Sequence, residues 1–315
     1  MRGVFLGTPS IAVPTLEALV SAGHDVALVV TRPDRPAHRS ATPQAPAVKK
    51  AALRLGLQVS QPEKVRDRKF RESLEQVAPD VLVVVAYGKI LPRAVLGIPR
   101  LAPINVHFSL LPGYRGAAPV QWALARGETT TGVTTMVMSE GLDEGDVLLQ
   151  QEVAIEPAEH APRLLDRLAE IGGPLLCRTL DGLRDGTVKP RPQDAAAATL
   201  APMLRIEDGV ADFALTAREI EGRVRGFDPW PGVWTRCRGK RVRIVEAAAT
   251  EGETTPESCG HVIELKDDAL TVACGKGTIL AIRAVQPEGR RAQSARDAVN
   301  GRQILPGDDL GHEKG

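Results

Sequence analysis

The chain has 315 residues, a formal net charge of +1, 43% hydrophobic and 25% charged residues, and only 3% aromatics. That length suggests two domains, and the composition is that of an ordinary globular protein whose core relies on Leu, Val, Ile and Ala. The charge balance excludes a global electrostatic drive toward nucleic acid, so any RNA contact must come from local patches.

Residues 4–6 form a short apolar run ending in Gly7-Thr8-Pro9. Met1-Arg2-Gly3-Val4-Phe5-Leu6-Gly7 is interrupted too soon for a signal peptide and reads as a first strand. Residues 11–22 carry helix-like apolar spacing, and 26–30 are a continuous run of the kind that marks a strand buried on both faces. Helices are expected at 47–55 and 70–77, and buried strands at 81–86 and 103–107. Strand and helix thus alternate, which predicts an α/β fold with a parallel sheet. Residues 133–138 and 147–155 are expected to complete that sheet. A long helix is expected over 161–183, interrupted near Gly172-Gly173-Pro174. The stretch 186–201 reads as a linker or a strap across the surface. A further helix follows at 216–226, then short strands with Gly turns between 234 and 285, whose even spacing suggests a small β-barrel. Cys177, Cys237, Cys259 and Cys274 are widely spaced, with no Cys-x-x-Cys pair, and read as reduced thiols of a cytoplasmic protein. The six histidines show no ligand-like spacing, so no metal is expected, and no apolar run reaches membrane-spanning length.

The most informative stretch is Ile104-Asn105-Val106-His107-Phe108-Ser109-Leu110-Leu111-Pro112, followed by Arg115-Gly116-Ala117-Ala118-Pro119. Strand alternation sends Asn105 and His107 to one face, at a strand's carboxyl end, where open α/β sheets place their chemistry. Downstream, Gly141-Leu142-Asp143-Glu144-Gly145 offers a carboxylate between glycines. Alone, an Asn-x-His pair is as compatible with a strand end tied to backbone, and a lone Asp with a plain turn. Gly7-Thr8-Pro9 lacks the G-x-G-x-x-G pattern, which argues against a dinucleotide-dependent dehydrogenase.

Together, Asn-x-His, Ser-Leu-Leu-Pro and the Gly-x-Asp-x-Gly loop resemble the folate-dependent formyltransferases. Arg32-Pro33-Asp34-Arg35-Pro36, Val85-Ala86-Tyr87-Gly88, residues 115–121 and Phe227-Asp228-Pro229-Trp230-Pro231 extend the resemblance over nearly the whole chain, toward the branch acting on methionyl-tRNA. The resemblance implies a Rossmann-like formyltransferase domain over 1–188, a linker over 189–206, and a C-terminal OB-like β-barrel over 207–315. It implies transfer of the formyl group of 10-formyltetrahydrofolate to the amino group of methionyl initiator tRNA, without a metal, by a monomeric cytoplasmic enzyme. Asn105, His107 and Asp143 are the expected catalytic residues. Ser109, Leu110, Leu111 and Pro112, with Val85, Ala86, Tyr87 and Gly88, are the expected folate-contacting segments. The alternative acceptor is an amino sugar nucleotide, handled by relatives with the same fold and site.

Two basic segments favour tRNA over that alternative. The Pro-rich stretch 33–50 carries Arg32, Arg35, His38, Arg39, Lys49 and Lys50 around it, and Arg39 matches the family's arginine at the acceptor stem. The family's usual Gly-Arg-Gly-Lys-Lys is here His38-Arg39-Ser40-Ala41-Thr42, so the adjacent lysines are missing. Arg236, Arg238, Lys240, Arg241 and Arg243 form the densest basic run; alternation places several of them on one face of a hairpin, as phosphate contacts or simply as a solvated face. Residues 227–231 read mainly as interdomain packing.

Overall fold

The computed structural model describes residues 1–36, 43–252, 254–255 and 258–311. In chain order the first part comprises β1 (Arg2–Gly7), α1 (Val13–Ser21), β2 (Asp25–Val30), the short pair β3 (Arg35–Pro36) and β4 (Pro43–Gln44), α2 (Ala47–Arg54) and β5 (Val59–Ser60). Next come α3 (Arg68–Val77), β6 (Val81–Val85), α4 (Arg93–Leu96), β7 (Ala102–His107), α5 (Pro119–Ala125), β8 (Thr130–Val137), β9 (Val147–Ala154) and α6 (Ala161–Arg184). The remainder holds α7 (Ala217–Gly226), β10 (Val233–Cys237), β11 (Lys240–Thr250), β12 (Val262–Lys266), β13 (Ala269–Ala273), β14 (Ile279–Pro287), β15 (Gln293–Ser294) and α8 (Ala295–Asn300).

The chain packs as two compact units. The first gathers residues 1–116, 130–154 and 165–201; the second gathers 117–129, 155–164 and 202–315. The first unit is built on a seven-stranded sheet of order β5-β2-β1-β6-β7-β8-β9. Strands β5, β2, β1, β6 and β7 pair in parallel, and β8 and β9 extend the sheet antiparallel. The mostly parallel sheet expected from the alternating pattern is therefore present, and the all-buried Val81–Val85 strand lies inside it, where both faces are covered. The chain leaves β1 toward β2 on one side and returns at β6 on the other, so the β1/β6 boundary is a topological switch point, where open sheets open a crevice beyond their carboxyl ends. Thr8 Oγ1 donates to Tyr87 O at 3.0 Å and ties those two strand exits together.

The interruption expected near residue 172 does not occur: α6 is continuous from Ala161 to Arg184, with Pro174 inside it. The glycines there answer a packing demand instead. A Cβ on Gly173 would lie 2.6 Å from the Ala18 Cβ of α1, and one on Gly172 would lie 3.1 Å from Val106 Cγ1 of β7. Bare backbone is required at Gly173, while at Gly172 an added Cβ would press Val106 aside by a few tenths of an ångström.

The second unit carries an antiparallel sheet of order β10-β11-β14-β13-β12, with β15 beside β14. The expected even run of short C-terminal strands is thus an antiparallel sheet domain. Strand β11, broken in register near Glu246, is long enough to pair β10 and β14 along its length. Its core collects alternating residues of the strands (Val242, Ile244, Leu270, Val272, Leu280, Ile282) with Ile220 and Val224 of α7. Phe227, expected at a domain interface, is fully buried in this unit's own core, edge-on to Trp122 at 5.3 Å between ring centres, whereas Trp230 is exposed. Among the described residues, no helix is long and apolar enough to cross a membrane.

Candidate active site

Strand β7 positions the amide and the imidazole. Val106 packs toward α6, so its neighbours Asn105 and His107 share the opposite face. His107 sits directly across from Thr134 of β8. Beyond His107 the chain turns, and Thr134 holds that turn: its Oγ1 donates to Ser109 O at 2.6 Å and accepts from Leu111 N at 3.2 Å. Gln150 Nε2 adds a bond to Leu111 O at 2.8 Å. The Ser109 hydroxyl is consumed locally by Gly113 O at 2.7 Å, and both Ser109 and Leu111 are buried. Two members of the expected folate loop therefore shape the turn, leaving Leu110 and Pro112 as its partly exposed side chains.

Asp143 arrives from the loop between β8 and β9, with a positive φ of 48°. Gly145 closes that loop against β8: a Cβ there would stand 1.9 Å from Val137 O. The carboxylate meets both β7 side chains. Its Oδ1 lies 3.4 Å from Asn105 Nδ2, and its Oδ2 lies 3.7 Å from His107 Nδ1 and accepts the Gly116 N–H at 2.9 Å. The other imidazole nitrogen, Nε2, is 2.9 Å from Tyr114 O. A carbonyl can only accept, so Nε2 carries hydrogen and Nδ1, facing Asp143, is the nitrogen free to exchange a proton. The expected trio is thus brought to one point from two separated segments. Its side chains are largely withdrawn from water, with exposures of 6% for His107 and 18% for Asp143.

Val85, Ala86, Tyr87 and Gly88 occupy the exit of β6. Val85 and Tyr87 are buried, while Ala86 and Gly88, both at positive φ, are exposed and turn the backbone outward. The Tyr87 hydroxyl has no hydrogen-bond partner among the described residues, and burial pushes its pKa up to about 12. An open cleft of about 300 Å³ lies past β1 and β2, lined by Thr8, Pro9, Arg32, Arg35 and Gln44. Within the stretch 33–50, residues from 47 on belong to α2, and Lys49 of that helix holds Asp34 at 2.8 Å. Hydrogen bonds from Gln61 and then Lys49 keep the Asp34 carboxyl below its ordinary range. Arg39 lies outside the described residues.

The basic run forms the hairpin of β10 and β11, closed by Arg238 and Gly239 at φ of 50° and 75°, the double positive-φ turn that matches strand twist. Arg236 pairs Arg241 across the strands and Trp234 pairs Arg243, so these four side chains share the outer face. They do not converge. Arg241 stacks over the Trp234 ring at 4.1 Å, Arg243 binds Asp228 at 2.8 Å, Arg236 donates to Gly239 O, and Lys240 is exposed. Arg238 is held by Asp308 at 2.7 Å.

The sequence reading passed over one group. Residues 186–201, read as linker or strap, bond to the loops that carry Arg115 and Asp143 in the first unit. Within them the Gln193 side chain bridges Arg115 and the Asp143 loop. A single amide inside a Pro-rich stretch gives no periodic or motif signal by which it could be found. Among the described residues, no cluster of three or more His, Cys, Asp or Glu is arranged to hold a metal ion.

Residues 1–180 match the model of formyl transferases, and residues 203–303 match that of the formyl transferase C-terminal domain. The methionyl-tRNA formyltransferase of Acidobacterium capsulatum is 51% identical over 99% of this chain and 100% of its own length. That of Koribacter versatilis is 48% identical over 98% of each. Among solved structures, an N-formyltransferase from Helicobacter canadensis with folinic acid and dTDP-3-aminofucose is similar with TM-score 0.66 and 16% identity, covering 91% of this chain and 99% of that one. HypX from Aquifex aeolicus, in complex with tetrahydrofolic acid, is similar with TM-score 0.62 and 19% identity; 98% of this chain covers 48% of it, about half its length. Those two likenesses concern the fold. The family models and the relatives at about half identity establish that the chain belongs to the formyl transferase family.

Proposed function

We propose that this protein transfers the formyl group of 10-formyltetrahydrofolate to the amino group of methionyl initiator tRNA, acting as a cytoplasmic monomer. The observation that carries the reading is the meeting of Asn105, His107 and Asp143 at the carboxyl end of β7, in a chain aligned end to end with enzymes of that name. The acceptor amine attacks as the free base, because an ammonium has no lone pair. Attack places negative charge on the formyl oxygen. Asn105 Nδ2 is the donor for that charge: its present bond to Asp143, at 3.4 Å, is long and easily exchanged for a stronger one made in the transition state. As the bond from the formyl carbon to the folate nitrogen breaks, His107 passes the amine's proton, received from Asp143, through Nδ1 to that departing nitrogen, since Nε2 is committed to Tyr114 O. Asp143, fixed by the Gly116 N–H, orients the imidazole and takes up the proton lost by the amine.

The exits of β6 and β7 (Val85, Ala86, Tyr87 and Gly88; Ser109, Leu110, Leu111 and Pro112) are assigned to the folate. The turned-out backbone at Ala86 and Gly88 supports that assignment by leaving peptide groups at the switch-point crevice. Arg39 and the outer face carrying Arg236, Arg241 and Arg243, with Lys240 and Arg238 at the turn, are assigned to the tRNA. The working division remains a catalytic domain over 1–188, a linker over 189–206 and a tRNA-binding, OB-like domain over 207–315. The test is to incubate the protein with the formyl donor and charged initiator tRNA and measure formyl-methionine. A dTDP-amino sugar serves as the competing acceptor, because the fold is shared with an enzyme solved with one. Formyl transfer to the sugar nucleotide and none to the tRNA overturns the assignment.

A further inference from the structure

We propose that Gln193 is a positioning residue of the catalytic site, acting through Asp143 as a two-ended clamp; the inference rests on the functional reading above. Its carboxamide uses both ends. Oε1 accepts from Arg115 Nε at 3.0 Å and Nη2 at 2.7 Å, and Nε2 donates to Asp143 O at 2.9 Å and Gly145 O at 2.7 Å. The two loops so joined are those whose relative position defines the site, because Gly116, next to Arg115, supplies the N–H that holds the Asp143 carboxylate. The backbone on either side of Gln193 is fixed as well. Arg191 exchanges both backbone bonds with Val147, at the start of β9. Farther along, Thr199 Oγ1 accepts from Tyr114 N, Thr199 O accepts from Arg115 N, and Arg115 O accepts from Ala201 N. Tyr114 is the residue whose carbonyl holds His107 Nε2. The strap therefore sets the backbone behind His107 at one end and the backbone of Asp143 at Gln193.

The close fit at Gly116 supports the same reading. A Cβ there would lie 2.5 Å from Ala201 O, so the catalytic loop and the strap meet backbone to backbone. The Asp143 loop has a left-handed residue at its apex, and the two carbonyl bonds from Gln193 fix its backbone beside the bonds of the carboxylate itself. A shift of one ångström in a positioned group costs on the order of a hundredfold in rate, so removing the clamp has a kinetic cost without removing any group that touches substrate.

The experiment uses the full-length protein and compares Gln193→Ala and Gln193→Glu with wild type, alone and in an Asp143→Asn background. Glu keeps the acceptor for Arg115 but cannot donate to the two carbonyls, so it separates the two ends of the clamp. Both single variants are expected to lower kcat at least tenfold, with KM for folate and tRNA changed less than threefold, and to shift a limb of the kcat–pH profile. In the Asp143→Asn background the Gln193→Ala change should cost little more, because its effect passes through that carboxylate. An additive loss, or an unmoved pH profile, overturns the proposal. Amide hydrogen exchange gives a readout independent of turnover: the Gly116 N–H and residues 141–146 should exchange faster in Gln193→Ala while β1 and β6 stay protected. Unchanged exchange there also overturns it. Wild-type protein that fails to formylate methionyl-tRNA sinks the functional reading, while a wild-type-like Gln193→Ala variant of an active enzyme sinks only the clamp.

Discussion

The two units spend polar side chains in opposite ways. At the end of β7, groups from separated segments converge on one carboxylate that is largely withdrawn from water. On the β10–β11 hairpin, cations spread along an outer face, the arginines each with its own ring, carboxylate or carbonyl. Catalysis requires the first arrangement, because a transition state rewards donors fixed before it forms. A polyanion is satisfied by the second, because phosphates repeat and counterion release counts charges rather than angles. The comparison therefore predicts sharp, non-additive losses in one unit and graded, salt-dependent losses in the other.

The largest effect is expected in the trio. Asn105→Ala, His107→Ala and Asp143→Ala should each cost on the order of a hundredfold or more in kcat with the fold retained, as judged by circular dichroism. Their combination should cost far less than the product. An Asn105→Ala enzyme with near wild-type turnover would remove its role as oxyanion donor. Next comes Arg39→Ala, which should lower formylation of charged tRNA by about tenfold, the size of one lost charge-assisted contact, and leave folate affinity unchanged. Equal loss of both would mean that the arginine serves the fold.

Smaller and graded effects are expected on the hairpin. Replacing Arg236, Lys240 and Arg241 together should reduce the slope of log affinity against log salt by about 2–3, near 0.7–0.9 for each phosphate released. Arg238, tied to Asp308, has a structural task besides, so Arg238→Ala should reduce the slope less than its neighbours do and also lower the unfolding midpoint. The smallest effect is the pH dependence of that pair. Burial raises the Asp308 carboxyl, but bonds from Leu305 N–H, Arg238 and Cys237 outweigh it and leave its pKa below the ordinary value. A depressed carboxyl adds stability that is present above the unfolded value, near pH 4, and is lost as pH falls through the folded one. The gap in denaturation midpoint between wild type and Asp308→Asn should therefore close as the pH is taken from about 6 to 3; a gap that widens contradicts the sign.

The sequence carried what repeats. Strand alternation put Asn105 and His107 on one face, and the βα alternation gave a mostly parallel sheet, because both follow from backbone geometry within a few residues. Features that depend on distant partners were not legible. Gly172-Gly173-Pro174 looked like a break in a helix, and the reason it is none lies in α1, at Ala18. Arg238 looked like its neighbours, and Asp308, 70 residues away, sets it apart. Gln193 was hidden for the same reason: its four bonds run to a side chain and two carbonyls 48 to 78 residues distant, and backbone carbonyls leave no mark in a sequence.

The placement of the indoles divides the molecule optically. All three tryptophans, Trp122, Trp230 and Trp234, belong to the second unit, and the first unit has none. Trp234 lies beneath the Arg241 guanidinium and Trp122 against Phe227, so intrinsic indole emission reports the hairpin and the core beside it. The protein thus carries a built-in fluorophore set for its basic face, while the trio and its strap stay dark in that channel. A tryptophan introduced beside the strap would illuminate the second region without a chemical label.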